Sequence, residues 1–184
     1  MLSKDQLRSG YPVIETKRLI LRGILPKDEM DLYSLITDPA VYPHLGIHTS
    51  TALFPSRLYR HFEEANRTLS ALHFVITRQG DDTVMGLCSL QRWDEKKGTA
   101  MIGYCVSPSC WNTGIATEAV KAMVDFGLNE LGLRQIRGRC EEDNHASRKV
   151  MLKCGLVRDP HDSAESVYTR QLPGLITFVL EADL

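Results

Sequence analysis

Long apolar runs are missing from this chain. No stretch of about 18 apolar residues occurs, so no membrane-spanning helix is expected. The opening Met1-Leu2-Ser3-Lys4-Asp5-Gln6 has none of the apolar core of a secretory leader. Excess charge is missing as well: 22 basic residues stand against 23 acidic ones, for a formal net charge of -1. A polyanion asks for a basic face, so neither a nucleic-acid nor a membrane partner is expected. Cysteine is sparse and unpatterned. Cys88, Cys105, Cys110, Cys140 and Cys154 are odd in number and lack CxxC spacing. Neither a structural metal site nor a disulfide framework is expected, and reduced thiols suit the cytoplasm. Several chemical signatures are absent too. There is no G-x-G-x-x-G (the position two before Gly114 is Asn112), no P-loop lysine, no H-E-x-x-H helix and no G-x-S-x-G elbow.

What is present suits one globular α/β (α+β) domain over residues 1–184, because that length fills one core and is short for two. Residues 1–14 show no clear periodicity and read as a lead-in arm. Arg18-Leu19-Ile20-Leu21-Arg22 reads as a strand, and Pro26 then suits the first turn of a helix. That helix has Met30, Leu32, Tyr33, Leu35 and Ile36 on a broad apolar face. A second helix is expected over 55–68, and an antiparallel meander over 72–78, 83–90 and 99–106 with turns between. A long helix over 114–131 aligns Ile115, Ala119, Met123 and Gly127 beside Val120, Val124, Leu128 and Leu131. A strand over 135–140 follows, then a shorter helix capped by Asn144 and closed by Gly155. Strand–helix–strand–helix order predicts a parallel element joined to the meander. Segments 166–170 and 175–181 form a closing hairpin around Pro173-Gly174, whose exposed final strand could pair with a partner's in a homodimer.

The segment carrying the chemistry is Tyr104-Cys105-Val106-Ser107-Pro108-Ser109-Cys110-Trp111-Asn112-Thr113-Gly114-Ile115-Ala116-Thr117-Glu118-Ala119, a strand running through a short loop into a long helix. The first N–H groups of that helix have no intrahelical partner, and its dipole is positive there, so the terminus suits a phosphate or pyrophosphate. Gly114 lets backbone approach a ligand closely, and Ala116 keeps the next turn uncluttered. An ordinary strand–helix turn would also accept small residues at these places.

The run Ile102-Gly103-Tyr104 … Trp111-Asn112-Thr113-Gly114-Ile115-Ala116-Thr117-Glu118-Ala119 resembles the acetyl-CoA motif of the GNAT N-acetyltransferase superfamily. It is most similar to the branch of ribosomal-protein N-terminal acetyltransferases, which acetylate alanine or serine. Asn144-x-x-Ser147-x-x-Val150-x-x-Lys153-Cys154-Gly155-Leu156 resembles that branch's second motif, and Glu15-Thr16-Lys17-Arg18-Leu19-Ile20-Leu21-Arg22 with Asp38-Pro39-Ala40-Val41 its opening pattern. The resemblance implies a GNAT-like fold, with a mixed, mostly antiparallel central sheet of about seven strands flanked by about four helices. It implies acetyl-CoA as cosubstrate and a primary amine as acceptor. The pantetheine arm would lie beside the strand ending at Val106, and backbone N–H groups near Tyr104, Cys105 and Val106 would polarise the thioester carbonyl. The pyrophosphate would sit on Asn112, Thr113, Gly114, Ile115, Ala116 and Thr117, and Asn144 and Ser147 would complete the cofactor site. No metal is implied.

Two positions depart from the family's pattern. The acid often found just before Ile-Gly-Tyr is Met101, and the tyrosine that protonates the departing thiolate in many relatives falls at Met151. In this branch the serine of the second motif can serve the thiolate, here Ser147, although a serine at the third residue of a helix can instead satisfy a free N–H. A protonated amine must lose a proton before attack. Glu165 lies where some members carry a glutamate base, with a solvated loop carboxylate as the plain alternative. His145 and His161 are further candidates. The acceptor should be shaped by the first two helices, by their loop at Tyr42-Pro43-His44-Leu45-Gly46 and by the closing hairpin. A protein or peptide α-amine, a small amine, and a non-catalytic acyl-CoA-binding module are the readings open at this point.

Overall fold

The computed structural model describes residues 1–45, 54–161 and 174–182. Its centre is one sheet built from β1 (Ile14–Glu15), β2 (Leu19–Gly23), β3 (Ala71–Arg78), β4 (Asp81–Asp94), β5 (Thr99–Val106), β6 (Gln135–Glu141), β7 (Val157–Arg158) and β8 (Leu175–Glu181). The strand order is β1-β2-β3-β4-β5-β6-β8-β7. Neighbours are antiparallel except β5 and β6, whose parallel pairing follows from the crossover helix between them.

Side-chain alternation assigns the two faces of the sheet. On one face Leu72, Phe74 and Ile76 of β3, Leu90 of β4 and Ile102 of β5 are buried with Ala119, Val120 and Met123 of α4 (Ile115–Asp125) and Met151 of α5 (His145–Lys153). On the other, Val75, Leu87 and Cys105 are buried with Leu32 and Ile36 of α2 (Glu29–Thr37) and Leu58 and Phe62 of α3 (Pro55–Thr68). Just before α2, Asp28, which is 2% exposed, is held by Arg22 of β2 through two guanidinium bonds of 2.7 and 2.9 Å.

Five expectations are corrected. The lead-in arm is docked rather than loose. Ser3 and Gln6 form a reciprocal capping box on α1 (Lys4–Ser9), Leu7 is buried, and Tyr11 packs on Phe74 at 4.9 Å between centroids. Among the described residues there are eight strands and five α-helices, not about seven and about four. The additional strands, β1 and β7, have two residues each, too few to show alternation. Pro26 opens a 3-10 turn over Pro26–Asp28, after which α2 begins. The long helix ends its α-helical winding at Asp125 and continues as a π-helical turn over Phe126–Glu130. Finally, β8 is not a free final strand: β6 lies on one side, and β7 meets its other edge at Phe178 and Val179. The partner arm of the expected hairpin, 166–170, lies outside the described residues.

Candidate active site

The two parallel strands separate where the chemistry is expected. β5 and β6 pair from Thr99 opposite Gln135 to Ile102 opposite Gly138, and no further. Beyond that rung β5 continues to Val106 while paired with β4, and β6 continues to Glu141 while paired with β8. Residues 103–106 therefore turn one backbone edge toward a gap, and 139–141 face it from the other side. Unpaired backbone groups need water or a ligand, and an extended polar chain fits such an edge as an added strand would. Gly138 stands at the last rung because α5 presses close: a Cβ there would lie 2.6 Å from Met151 Sδ. Met151 is accordingly a core residue, 1% exposed, and not a group turned toward a substrate.

At the open end of β5 the chain turns into α4 through a well-tied loop. Trp111 donates its indole N–H to the Val106 carbonyl at 3.0 Å, and the Thr113 hydroxyl donates to the Cys110 carbonyl at 2.6 Å. Trp111 thus clamps the loop onto the strand. Gly114 caps α4 at φ 81°, a left-handed conformation that glycine adopts without a Cβ clash. No side chain caps this terminus, and the helix's own bonding begins with Glu118 N–H donating to Gly114 at 3.0 Å. The N–H groups of Ile115, Ala116 and Thr117 are left without an intrahelical acceptor, beside the exposed Asn112, Thr113 and Gly114. Positive dipole and free donors give this terminus the chemistry that an anion asks for.

Glu118 fixes where that terminus points. Its carboxylate accepts from the Thr16 hydroxyl at 2.6 Å, from Arg18 N–H at 3.0 Å and from Arg18 Nε at 2.6 Å, while Arg18 Nη1 donates to the Thr113 carbonyl at 3.1 Å. Burial pushes the Glu118 carboxyl up, but these hydrogen bonds outweigh it and hold it below its ordinary value.

Across the gap from α5 comes the second group of expected residues. Asn144 caps α5, its side-chain oxygen accepting from Ser147 N–H at 3.0 Å. Ser147 is thereby relieved of capping, and its hydroxyl instead lies 2.8 Å from the Tyr104 hydroxyl. Tyr104 also lies 3.0 Å from the Ser147 carbonyl. Burial pushes the Tyr104 phenol well above its ordinary range, with the Ser147 contact opposing it. Cys105 points the other way, into the α2–α3 core, where burial pushes its thiol up to about 12. Its backbone pairs with Leu87 on β4, which leaves the N–H groups of Tyr104 and Val106 for the gap and corrects the expectation for Cys105.

The α2–α3 side of the gap carries Met101, Gln91, Ser89, His44 and Glu141. Ser89 Oγ donates to the Gly103 carbonyl at 3.3 Å and accepts from Gln91 Nε2 at 2.9 Å, so a polar pair covers Gly103. His44, in the 3-10 turn Tyr42–His44, meets Glu141 at 2.7 Å, which brings the loop after α2 to the end of β6. Gly46 and Glu165 lie outside the described residues. His145 is exposed at the start of α5, and the backbone N–H of His161 donates to the Asp159 carboxylate at 2.9 Å. Sequence reasoning missed the Tyr104–Ser147 and His44–Glu141 contacts because the partners are 43 and 97 residues apart.

Comparison with known proteins agrees with this geometry. A family model described as an acetyltransferase (GNAT) domain matches residues 18–157. The uncharacterized N-acetyltransferase p20 of Bacillus licheniformis is 31% identical over 150 residues, covering 78% of this chain and 84% of that protein. Two solved structures share the fold: ribosomal-protein-S5-alanine acetyltransferase of Vibrio fischeri (TM-score 0.76, 16% identity, covering 94% of this chain and 97% of that one), and spermidine N-acetyltransferase of Vibrio cholerae with CoA and spermine (TM-score 0.75, 15% identity, covering 90% and 96%).

Proposed function

The chain belongs to the GNAT acetyltransferase family and is an N-acetyltransferase, and on that premise we propose that it carries an acetyl group from acetyl-CoA to the α-amine of a protein or peptide. The observation that carries the acetyl-CoA half is the gap between residues 103–106 and 139–141, lying directly before an uncapped helix terminus. An extended amide-containing arm pairs with the free edge of β5, and a pyrophosphate meets the N–H groups from Asn112 to Thr117. Asn144 and Ser147 close the far side. Acetyl-CoA supplies an acyl group already activated as a thioester. What the protein adds is position and electrostatics: the N–H groups of Tyr104 and Val106 face the carbonyl oxygen as it gains charge, and Ser147 faces the departing sulfur. Glu165 is the base in this reading. All five cysteines are free thiols, which supports work in the reducing cytoplasm.

The α-amine half is supported by the likeness of the 102–119 and 144–156 motifs to the ribosomal-protein branch. A panel of peptides with different first residues, polyamines and aminoglycosides, scored by amine-dependent release of CoA thiol, tests it. The proposal expects release with peptides beginning in alanine or serine, and release with polyamines or aminoglycosides alone would overturn it. Met101 and Met151 favour a second reading, an acyl-CoA-binding module without chemistry. That reading expects acetyl-CoA to bind and no amine to release CoA.

A further inference from the structure

Tyr104 brings its hydroxyl through the buried side of the sheet to Ser147, at 2.8 Å from the hydroxyl and 3.0 Å from the carbonyl. The phenol has one proton to give. The Ser147 N–H is already committed to Asn144, and the phenol's proton can go to the Ser147 carbonyl at 3.0 Å or to the Ser147 hydroxyl at 2.8 Å; along the shorter contact it leaves the serine proton as the one whose direction remains to be set. A serine this early in a helix would ordinarily turn its hydroxyl back onto local backbone. Here a half-buried tyrosine on a neighbouring strand meets it instead. Chains of hydrogen bonds polarise one another, so a donor behind Ser147 strengthens what Ser147 can give forward.

We propose that Tyr104 is a positioning residue for the leaving sulfur: its O–H donates to Ser147 Oγ and turns the serine proton toward the gap between β5 and β6, where the CoA sulfur lies. This rests on the acetyl-CoA reading above. The amine nitrogen forms its bond to the acetyl carbon, the carbon–sulfur bond breaks, and that electron pair stays on sulfur. The surplus proton of the amine leaves through the base of that reading, Glu165, to water. Neither Ser147 nor Tyr104 gives up its proton; the two hydroxyls stabilise a thiolate by hydrogen bonding. Burial favours this division of labour, because it holds the phenol in its neutral, donating form.

The consequence is that the site prefers CoA as thiolate over CoA as thiol. Other ionisable groups near the pair have been set aside by the fold. Cys88 on β4, Cys140 on β6 and Cys154 just after α5 all act on Tyr104, and burial raises each of them, Cys140 and Cys154 to about 11. Arg148 and Glu141 bear on Cys140, and Lys121 and Asp125 on Cys154.

Calorimetric titration of the whole protein with CoA and with acetyl-CoA, from pH 6.5 to pH 9.5, tests this without any acceptor. Acetyl-CoA has no thiol, so the ratio of its dissociation constant to that of CoA isolates the sulfur's charge. In wild type the ratio should climb about tenfold more than the solution ionisation of the thiol requires, equal to one unit of pKa. In Tyr104→Phe, which removes one oxygen and keeps the ring, that added climb should fall below about threefold, with acetyl-CoA affinity at low pH held within about threefold. Ser147→Ala should flatten the ratio equally, and the double variant should do no more, because the two hydroxyls act as one unit. A wild type without the added climb would overturn the proposal and leave the acetyl-CoA site standing. So would Tyr104→Phe titrating like wild type, or losing acetyl-CoA altogether. If neither ligand binds wild type, the acetyl-CoA reading itself fails and this proposal goes with it.

Discussion

Asn144 and Ser147 stand three residues apart at one helix start and divide two tasks between them. Because Asn144 caps α5, Asn144→Ala should cost about 1 kcal/mol of stability. Ser147→Ala removes no cap, so its effect should appear in the chemical step. A hydrogen bond to a charged group is worth roughly 1.5–3 kcal/mol, and at 1.36 kcal/mol per factor of ten the single-turnover rate should fall about ten- to a hundredfold. Acetyl-CoA affinity should barely move, since the neutral thioester gains little from that bond. A normal single-turnover rate in Ser147→Ala would end the role given to it. His73 makes a separate prediction. It is 5% exposed on β3, edge-on to Phe62 at 4.8 Å, and its Nδ1 has no partner among the described residues. Burial, assisted by His61, lowers its pKa from 6.5 to about 4. Between those values the unfolded chain takes up a proton that the folded protein refuses. The contribution is thus intact above pH 6.5 and is lost as pH falls toward 4, by about 2 kcal/mol at pH 5. Melting temperatures at pH 7 and pH 5 should differ less in His73→Phe than in wild type; equal differences would show that His73 does not set the acid sensitivity.

Among the elements, α4 and its loop were legible and its attachment was not. The pattern from Ile115 to Val124 marked the helix, and Gly114 marked its start. The sequence could not announce that Glu118, one turn in, ties the terminus to Thr16 and Arg18 on the far side of the chain. Such a tie depends on which strands the crossover lands beside. Glu118→Ala should lower stability by about 1–3 kcal/mol, since it strands two hydrogen-bonded partners, and should weaken acetyl-CoA by letting the terminus drift. Unchanged acetyl-CoA affinity in a folded Glu118→Ala protein would separate the tie from the binding site. Gly114→Val meets two costs. A left-handed φ of 81° disfavours any β-branched side chain by roughly 1–2 kcal/mol, and the added methyls occupy the approach of a phosphate. Calorimetry on that variant, with native circular dichroism, should find acetyl-CoA binding severely weakened. The shortest elements were the ones hidden. β1 and β7 carry two residues each, and α1 was overlooked although Ser3-x-x-Gln6 is a capping-box signature, because six residues are too few for an apolar period to appear.

For the whole molecule, strand order inside the meander and the parallel joint were readable from alternation and from the crossover helix, and the structure agrees with both. The gap was not readable by pattern alone, because it is a relation between two strands that begin paired and then separate at Ile102 and Gly138. Likeness of motifs supplied its location, and the structure adds that α5 lies close against the last shared rung at Gly138. The central claim is that this gap and the α4 terminus together hold acetyl-CoA. Hydrogen exchange followed by mass spectrometry, with and without acetyl-CoA, tests it most directly, because both halves of the site are backbone N–H groups. The account predicts slowed exchange in peptides spanning 103–106 and 112–118, with β1 and β2 unchanged. Exchange unaltered in both segments, or slowed only over the shallow depression on α3 lined by Arg57, Arg60, His61 and Glu64, would contradict it.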